Sequence, residues 1–324
     1  MRIHEPLQAL ASLPGIQASA SRAERIQTDF RAENRIFIWH RPVLTFEKSY
    51  KTIQSLRRAG YLIVTEFDDH HSPWPKIAEN KFLSFAGVHA VQTTTSKLAE
   101  MFREFNPEVA VFPNQLNSFP DRELMVPGEQ VRIFFGALNR QEDWRPILAG
   151  VNKALRKTKT PYVFDVVFDK EFFDGLETEN KIFTPQCSYA VYKSRLLKAD
   201  ISLMPLRATG FNEMKSDLKL VESAGHGAVP VASKVVYGED LAFREFSMIC
   251  DQPDDFGTAL TMLIDNPERR MSMQQKGRDY VKKNRLLCHH LDDRYDWYKR
   301  LLKNHNKLDQ ALEARLAGIV REFQ

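Results

Sequence analysis

After residue 34 the chain alternates short apolar runs with amphipathic segments almost without a break. That rhythm leaves few folds open. The runs RIFIWH (35–40), YLIVTEF (61–67), VHAVQT (88–93) and VAVFP (109–113) read as buried strands. Between them EKSYKTIQSLRRAG, KIAENKFLSF and SKLAEMFREFN read as helices, the first closing on Gly60 and the last capped by Ser96. Strand, helix, strand in this order predicts a parallel sheet covered on both faces.

PNQLNSFPDRELMVPGEQ (113–130) interrupts the alternation with three prolines and a charge cluster, and reads as a linker between domains. The pattern then restarts. VRIFFGAL (131–138), YVFDVVFD (162–169), KIFTP (181–185), ADISLMPL (199–206), AVPVAS (228–233) and FSMICD (246–251) are strand candidates, with helices near 143–157, 189–198, 214–225 and 254–265. From about residue 267 the chain reads as wholly helical. In its last segment Leu308, Leu312, Leu316 and Ile319 make one apolar stripe. The stripe is expected to pack on a domain; the alternative is docking on anionic lipid, aided by Lys303 and Lys307. The expected domains are 1–118, a linker at 119–130, a second domain at 131–285 and C-terminal helices at 286–324 that pack back on the first.

A chain of 324 residues fits two domains better than one or three. Its net charge of +4 gives no field strong enough to argue for nucleic acid. Cys187, Cys250 and Cys288 are far apart and odd in number, so neither a zinc spacing nor a disulfide framework is present, and a reducing compartment fits. The N-terminal stretch lacks the apolar core of a signal peptide, and no segment approaches the roughly 20 apolar residues that cross a bilayer. A cytoplasmic location is the expectation.

Ligands of an open α/β sheet bind at the carboxyl ends of its strands, so the loops there hold the candidates. FFGALNRQEDW (134–144) leaves a strand through Gly136 and enters a helix with Asp143 as N-cap. Gly136 would let the backbone approach a phosphate, the helix start would favour its charge, and Arg140 would add a charge-assisted contact. An ordinary turn with a solvent-facing arginine is the alternative. If 214–225 is one helix, Lys215, Lys219 and Glu222 share a face, suiting a diphosphate and a ribose diol. The bland counterpart is a solvated face with a Lys219–Glu222 pair contributing about 0.2–0.5 kcal/mol.

FNEMKSDLKLVESAGHGAVPVAS, with Phe211, Asn212, Lys215, Ser216, Lys219, Glu222 and the run Pro230 to Ser233, resembles the donor-binding segment of the GT-B glycosyltransferases, specifically the retaining group 1 (family 4-like) enzymes of bacterial polysaccharide and glycoprotein assembly. VHAVQTTTSKLAEMFREFNPEVAVFPNQLN (88–117), KADISLMPL (198–206) and FFGALNR, which includes Asn139, extend the likeness over roughly residues 35–290. The resemblance implies two Rossmann-like domains facing each other across a cleft, with an abbreviated N-terminal domain and a helical C-terminal tail. It further implies phosphate contacts near Gly136, Arg140, Lys215 and Lys219, donor binding at Asn139, ribose at Glu222, and a nucleobase edge met by Thr184, Pro185 and Gln186. Two departures stand out. Many retaining members carry a second glutamate eight positions before the ribose-binding one, where this chain has Met214 beside Glu213. The first half is also short and lacks the glycine-rich loop that usually opens it, so the acceptor pocket is abbreviated or completed by a partner.

TEFDDHHSPWP (65–75) leaves the strand that, by the resemblance, ends near the acceptor. Asp68, Asp69 and His70 are the catalytic candidates, as base or as orienting group. A metal site and a plain structural loop compete with this reading. Adjacent side chains seldom converge on one ion, however, and the family generally uses no catalytic metal, so no metal and no cofactor beyond the sugar-nucleotide donor are expected. The expected activity is sugar transfer from a nucleotide-diphosphate donor to a carbohydrate, lipid-linked or protein-linked glycan acceptor. Alternatives are a non-catalytic assembly subunit of the same fold and, more distantly, a sugar-nucleotide epimerase. Peripheral membrane contact remains an open expectation.

Overall fold

In the computed structural model, which describes residues 2–22, 34–122 and 130–323, the alternation resolves into two separate parallel sheets. One compact unit comprises Met1–Asn114, Met214–Ser216 and Leu287–Gln324, and the other comprises Gln115–Glu213 and Asp217–Leu286. Most of the expected linker, 123–129, lies outside the described residues.

The sheet of the first unit has four strands, β1 (Arg35–His40), β2 (Tyr61–Glu66), β3 (Ala90–Thr93) and β4 (Val109–Val111), in sequential spatial order and all parallel. Sequential order has a steric consequence. Every right-handed crossover must pass on the same side, so one face is covered by the connecting helices and the other is left open. The first face carries Trp39, Ile63 and Val91 and meets the helices Phe46–Arg58, Leu83–Ala86 and Ser96–Arg103, together with Leu312, Leu316 and Ile319. The second carries Leu62, Val64 and Ala90 and is closed by Leu10 from the helix His4–Ala11 and by Trp297, Tyr298 and Leu301 from the helix Leu291–Lys303. The Leu312–Ile319 stripe is thus part of this core, which removes it as a lipid-docking face.

The second unit has β5 (Val131–Gly136), β6 (Tyr162–Val167), β7 (Lys181–Thr184), β8 (Ile201–Met204), β9 (Val229–Ser233) and β10 (Met248–Cys250) in the spatial order β10-β9-β8-β5-β6-β7. This is the doubly wound arrangement, and its direction reverses between β8 and β5. Helices then cover both faces, and the loops after β5 and β8 flank the crevice at that reversal. Among the described residues, no helix is long and apolar enough to cross a membrane.

Several expected boundaries shift for local reasons. KIAENKFLSF is two short helices, Pro75–Glu79 and Leu83–Ala86, because Lys81 and Phe82 both take left-handed backbone. The cap of the helix Ser96–Arg103 is Thr95, whose hydroxyl accepts from Leu98 N at 3.2 Å, one residue before the expected Ser96. The expected helix 214–225 begins only at Leu218.

The last helix, His305–Phe323, is pinned by a charged cluster. Asp309 accepts from Arg57 Nε at 2.7 Å and Nη2 at 2.9 Å, and lies 3.2 Å from His89 Nε2. His89 Nδ1 accepts from Ile63 N at 2.8 Å, so the neutral ring carries its proton on Nε2 and donates it to Asp309. Burial drives His89 down to about 4 despite Asp309, and burial likewise drives His226 of the second unit down to about 4.

Both histidines take up a proton more readily in the unfolded chain, near 6.5, than in the folded one. Stability therefore falls as pH drops from 6.5 toward 4, by on the order of 3 kcal/mol per histidine. His89→Gln should reduce the drop in melting temperature between pH 7 and pH 4.5, measured by differential scanning calorimetry; an unchanged drop contradicts the assignment. Leu301→Ala, which hollows the second face of the four-stranded sheet, should cost about 2–5 kcal/mol in urea unfolding.

Candidate functional site

Gly136, Asn139, Arg140, Phe211 and Asn212 lie on the segments that follow β5 and β8, flanking the reversal between those strands. β5 ends at Gly136, where an added Cβ would lie 2.6 Å from Tyr192 Cε2 and 2.7 Å from Phe134 Cζ. A side chain at this position would therefore collide with these rings. Its carbonyl accepts from Lys219 Nζ at 2.6 Å, which ties the helix Leu218–Gly225 to the end of β5. Asn139 follows in left-handed backbone with φ of 53°, a conformation that asparagine tolerates, and sets Arg140 at the head of the helix Gln141–Lys157.

Asp143 is the hub of this region rather than a helix cap. One carboxylate oxygen accepts from Arg207 N at 3.0 Å and Asn212 Nδ2 at 2.9 Å, and the other from Arg140 Nη1 at 3.1 Å. Arg140 Nη1 also donates to Asn212 Oδ1 at 3.2 Å, and Asn212 Nδ2 donates to Arg207 O at 3.0 Å. The loop after β5 and the loop after β8 are thereby locked together across the crevice. Asn212 is buried, while Phe211 beside it on the short helix Gly210–Glu213 is half-buried.

Glu222 is buried, and one of its carboxylate oxygens accepts from the Tyr189 hydroxyl. Burial, with the Glu222 charge adding to it, pushes the Tyr192 phenol well above its ordinary value. Burial also raises Tyr237, with Asp217, Asp143 and Glu222 raising it further and Arg140 opposing them. Arg140 and Glu222 thus act on one buried phenol, which brings two of the residues expected from sequence into one neighbourhood. Val236, beside Tyr237, has φ of 72° on a β-branched residue, a strained backbone of the kind that collects near functional sites.

Lys215 lies in a segment of the first unit. Residues Met214–Ser216 belong to the first unit, and the chain there is not helical, so Lys215, Lys219 and Glu222 do not share a helical face. The cause is local: Met214 joins the apolar core of the first unit, its carbonyl lies 3.4 Å from Thr95 Oγ1, and Ser216 Oγ accepts from Asn114 Nδ2 at 2.7 Å. Asp217, the next residue, is held by Arg285 at 2.6 and 2.8 Å. Lys215 Nζ lies 3.8 Å from Asp69 Oδ1.

At the end of β7, Thr184 is buried, its carbonyl accepts from Phe168 N at 2.9 Å and its Oγ1 has no hydrogen-bond partner among the described residues; Pro185 is exposed. A ligand edge could take up that hydroxyl. Sequence reasoning missed Asp143 as a hub, Tyr189 and Tyr237; nothing in their spacing marks them, since each acts through contacts distant in sequence.

In the first unit the candidates lie on the exit from β2. Arg41 Nε donates to Asp68 Oδ1 at 2.5 Å. Burial pushes the Asp68 carboxyl up, but the hydrogen bond and charge of Arg41 outweigh it and hold it below the usual carboxylate range. Asp69 Oδ1 accepts from His70 N at 3.0 Å, and its Oδ2 lies 4.0 Å from Arg41 Nη2. His70 Nδ1 accepts from Ser72 N at 3.1 Å, so its neutral ring bears the proton on Nε2. His71 stacks on His70 and meets Phe82 edge-on, and burial with the His70 charge lowers its pKa. No group of three or more His, Cys, Asp or Glu that could hold a metal ion occurs among the described residues. Deeper in the same edge, Arg2 Nε donates to buried Glu66 at 2.8 Å and Arg2 Nη1 to Phe112 O at 2.8 Å, while Glu66 Oε2, Thr93 Oγ1 and Thr94 Oγ1 have no hydrogen-bond partner among the described residues. A carboxylate inside the apolar run YLIVTEF was the available signal for Glu66.

No family model matches the chain, and no curated protein matches it in sequence. Solved structures do resemble it. WaaG, a glycosyltransferase involved in lipopolysaccharide biosynthesis, is 14% identical with a TM-score of 0.57, covering 90% of this chain and 93% of its own. Sucrose-phosphate synthase from Thermosynechococcus elongatus is 11% identical with a TM-score of 0.57, covering 82% of this chain and 73% of its own. Anabaena HepE in complex with UDP-glucose is 10% identical with a TM-score of 0.53, covering 78% of this chain and 77% of its own. At these identities the likeness is one of fold. With its two parallel α/β sheets, this chain has the fold of the GT-B glycosyltransferases.

Proposed function

We propose that the protein transfers a sugar from a nucleotide-diphosphate donor to a carbohydrate or glycoconjugate acceptor, with retention of anomeric configuration. The observation that carries this reading is the locked crevice at the β5/β8 reversal, where Arg140 is held by Asp143 and Asn212 and Lys219 is fixed on the Gly136 carbonyl. Two cations fixed beside a crevice at the carboxyl edge of a doubly wound sheet suit a diphosphate. Glu222 is assigned to the ribose, and the Thr184–Pro185 loop to the base. Negative charge grows on the leaving phosphate as the glycosidic bond breaks, so preorganised donors there lower the barrier. WaaG and HepE, with the same fold, are respectively named as a glycosyltransferase and seen with UDP-glucose. No metal is assigned a role.

On the acceptor side the three candidates separate. Asp68 is committed to Arg41. His70 in its neutral form has Nδ1 occupied as acceptor and Nε2 protonated, so it can donate but not accept. Asp69 is assigned to orient the acceptor hydroxyl, with Lys215 as its counter-ion rather than as a phosphate ligand. The leaving phosphate then takes the hydroxyl proton as the new bond forms.

A second reading, a non-catalytic subunit of the same fold, is favoured by one observation: Met214 stands where a sugar-contacting carboxylate is expected and is drawn into the first unit's core. Turnover decides between them. In a thermal-shift screen against UDP-, GDP-, ADP-, TDP- and CMP-linked sugars, one class should raise the melting temperature, and Lys219→Ala should weaken that shift by roughly tenfold in affinity. No response across the panel defeats donor binding. Asp69→Asn should lower turnover by roughly 10²- to 10⁴-fold while leaving the donor shift intact, with His70→Gln far milder; donor binding without turnover in the wild type supports the non-catalytic reading.

A further inference from the structure

Glu222 does not stand alone. Its Oε1 accepts from the hydroxyl of Tyr189, the first residue of the helix Tyr189–Leu196, which follows the loop after β7. The Tyr189 ring is exposed but has ring neighbours. It lies nearly parallel to the Tyr192 ring, with centroids 6.1 Å apart and 15° between planes, and Tyr192 is in turn parallel to Phe168 at 6.2 Å and 11°. Lys193 Nζ sits 4.7 Å from the centroid of the Tyr189 ring. Tyr192 is buried and fills the space that a side chain at Gly136 would need. A ladder of rings anchored at the end of β5 thus carries one phenol to one oxygen of a buried carboxylate.

We infer that Tyr189 is a positioning residue for Glu222, orienting its carboxylate toward a ribose hydroxyl. The inference rests on the donor-binding reading above. A buried carboxylate is costly to desolvate and free to rotate about its terminal torsion unless a donor fixes it. The tyrosine supplies a charge-assisted bond at one oxygen, lowers that cost and selects one orientation. The consequence is specific. Tyr189 governs recognition of the sugar hydroxyls of the nucleoside and leaves the diphosphate contacts of Arg140 and Lys219 untouched.

The test compares ligands that differ only in those hydroxyls. Calorimetric affinities of the full chain are measured for UDP, ADP and GDP, and for the 2′,3′-dideoxy form of whichever binds best. The wild type should prefer the ribose form, and Tyr189→Phe should shrink that preference by roughly three- to tenfold while changing the dideoxy affinity little. A structural defect instead lowers both affinities together, and that result overturns the inference. So does a tighter ribose complex in Tyr189→Phe, which would make the phenol a competitor of the ligand. Glu222→Gln provides the second variant: it should lose the ribose preference by itself and render Tyr189→Phe silent in its background, whereas additive losses count against the assignment. If the wild type binds none of the three diphosphates, donor binding itself fails and this inference falls with it; if it binds and the preference survives Tyr189→Phe, only the inference falls.

Discussion

Both sheets are wholly parallel, and the remaining architecture follows from that constraint. A parallel strand must be re-entered from the same end, so all carboxyl ends share one edge and every loop able to bear chemistry leaves from it. What differs between the units is strand order. The six-stranded sheet reverses between β8 and β5, and two loops diverge there to opposite faces. The divergence would leave polar backbone open, and Asp143 closes it by accepting from Arg207 N on one loop and Arg140 on the other. The same bonds hold Arg140 at the crevice. One carboxylate serves both loops.

The four-stranded sheet has no reversal and therefore no such crevice. Its sequential order leaves one face without crossovers, and a naked apolar face of Leu62, Val64 and Ala90 would be unstable in water. Helices from both ends of the chain, His4–Ala11 and Leu291–Lys303, cover it. The C-terminal helices are thus required by the topology of strands some two hundred residues earlier. Polar groups at the carboxyl edge of this sheet come from strand exits and from Arg2.

Strand and helix positions were largely legible because apolar periodicity is written locally. β1 and β5 begin where the apolar runs begin, and the helix Phe46–Arg58 stops short of Gly60, whose φ of 77° only glycine adopts readily. The segment 214–217 was illegible for the opposite reason. Its residues have adequate helical propensity, but Met214 gains more from burial in the first unit's core, and Asp217 from Arg285, than a further turn of helix supplies. In the candidate site, Arg140, Asn212, Lys219 and Glu222 could be read because they lie within marked loops and a recognisable segment. Asp143 and Tyr189 could not, because their partners are 64 and 33 residues away in sequence.

The charges of the second unit's crevice form a graded set once burial is considered. Arg140 and Asp143 neutralise one another, so the guanidinium is held without being spent on solvent. Glu222 instead receives the neutral donor Tyr189, and its charge is felt by the buried phenols of Tyr192 and Tyr237. A carboxylate beside an arginine forms a pair with no net charge, whereas a phenol hydrogen-bonded to a carboxylate adds no compensating charge. Asp143 and Glu222 thus differ in what donates to them, an arginine and an amide in the first case and a phenol in the second.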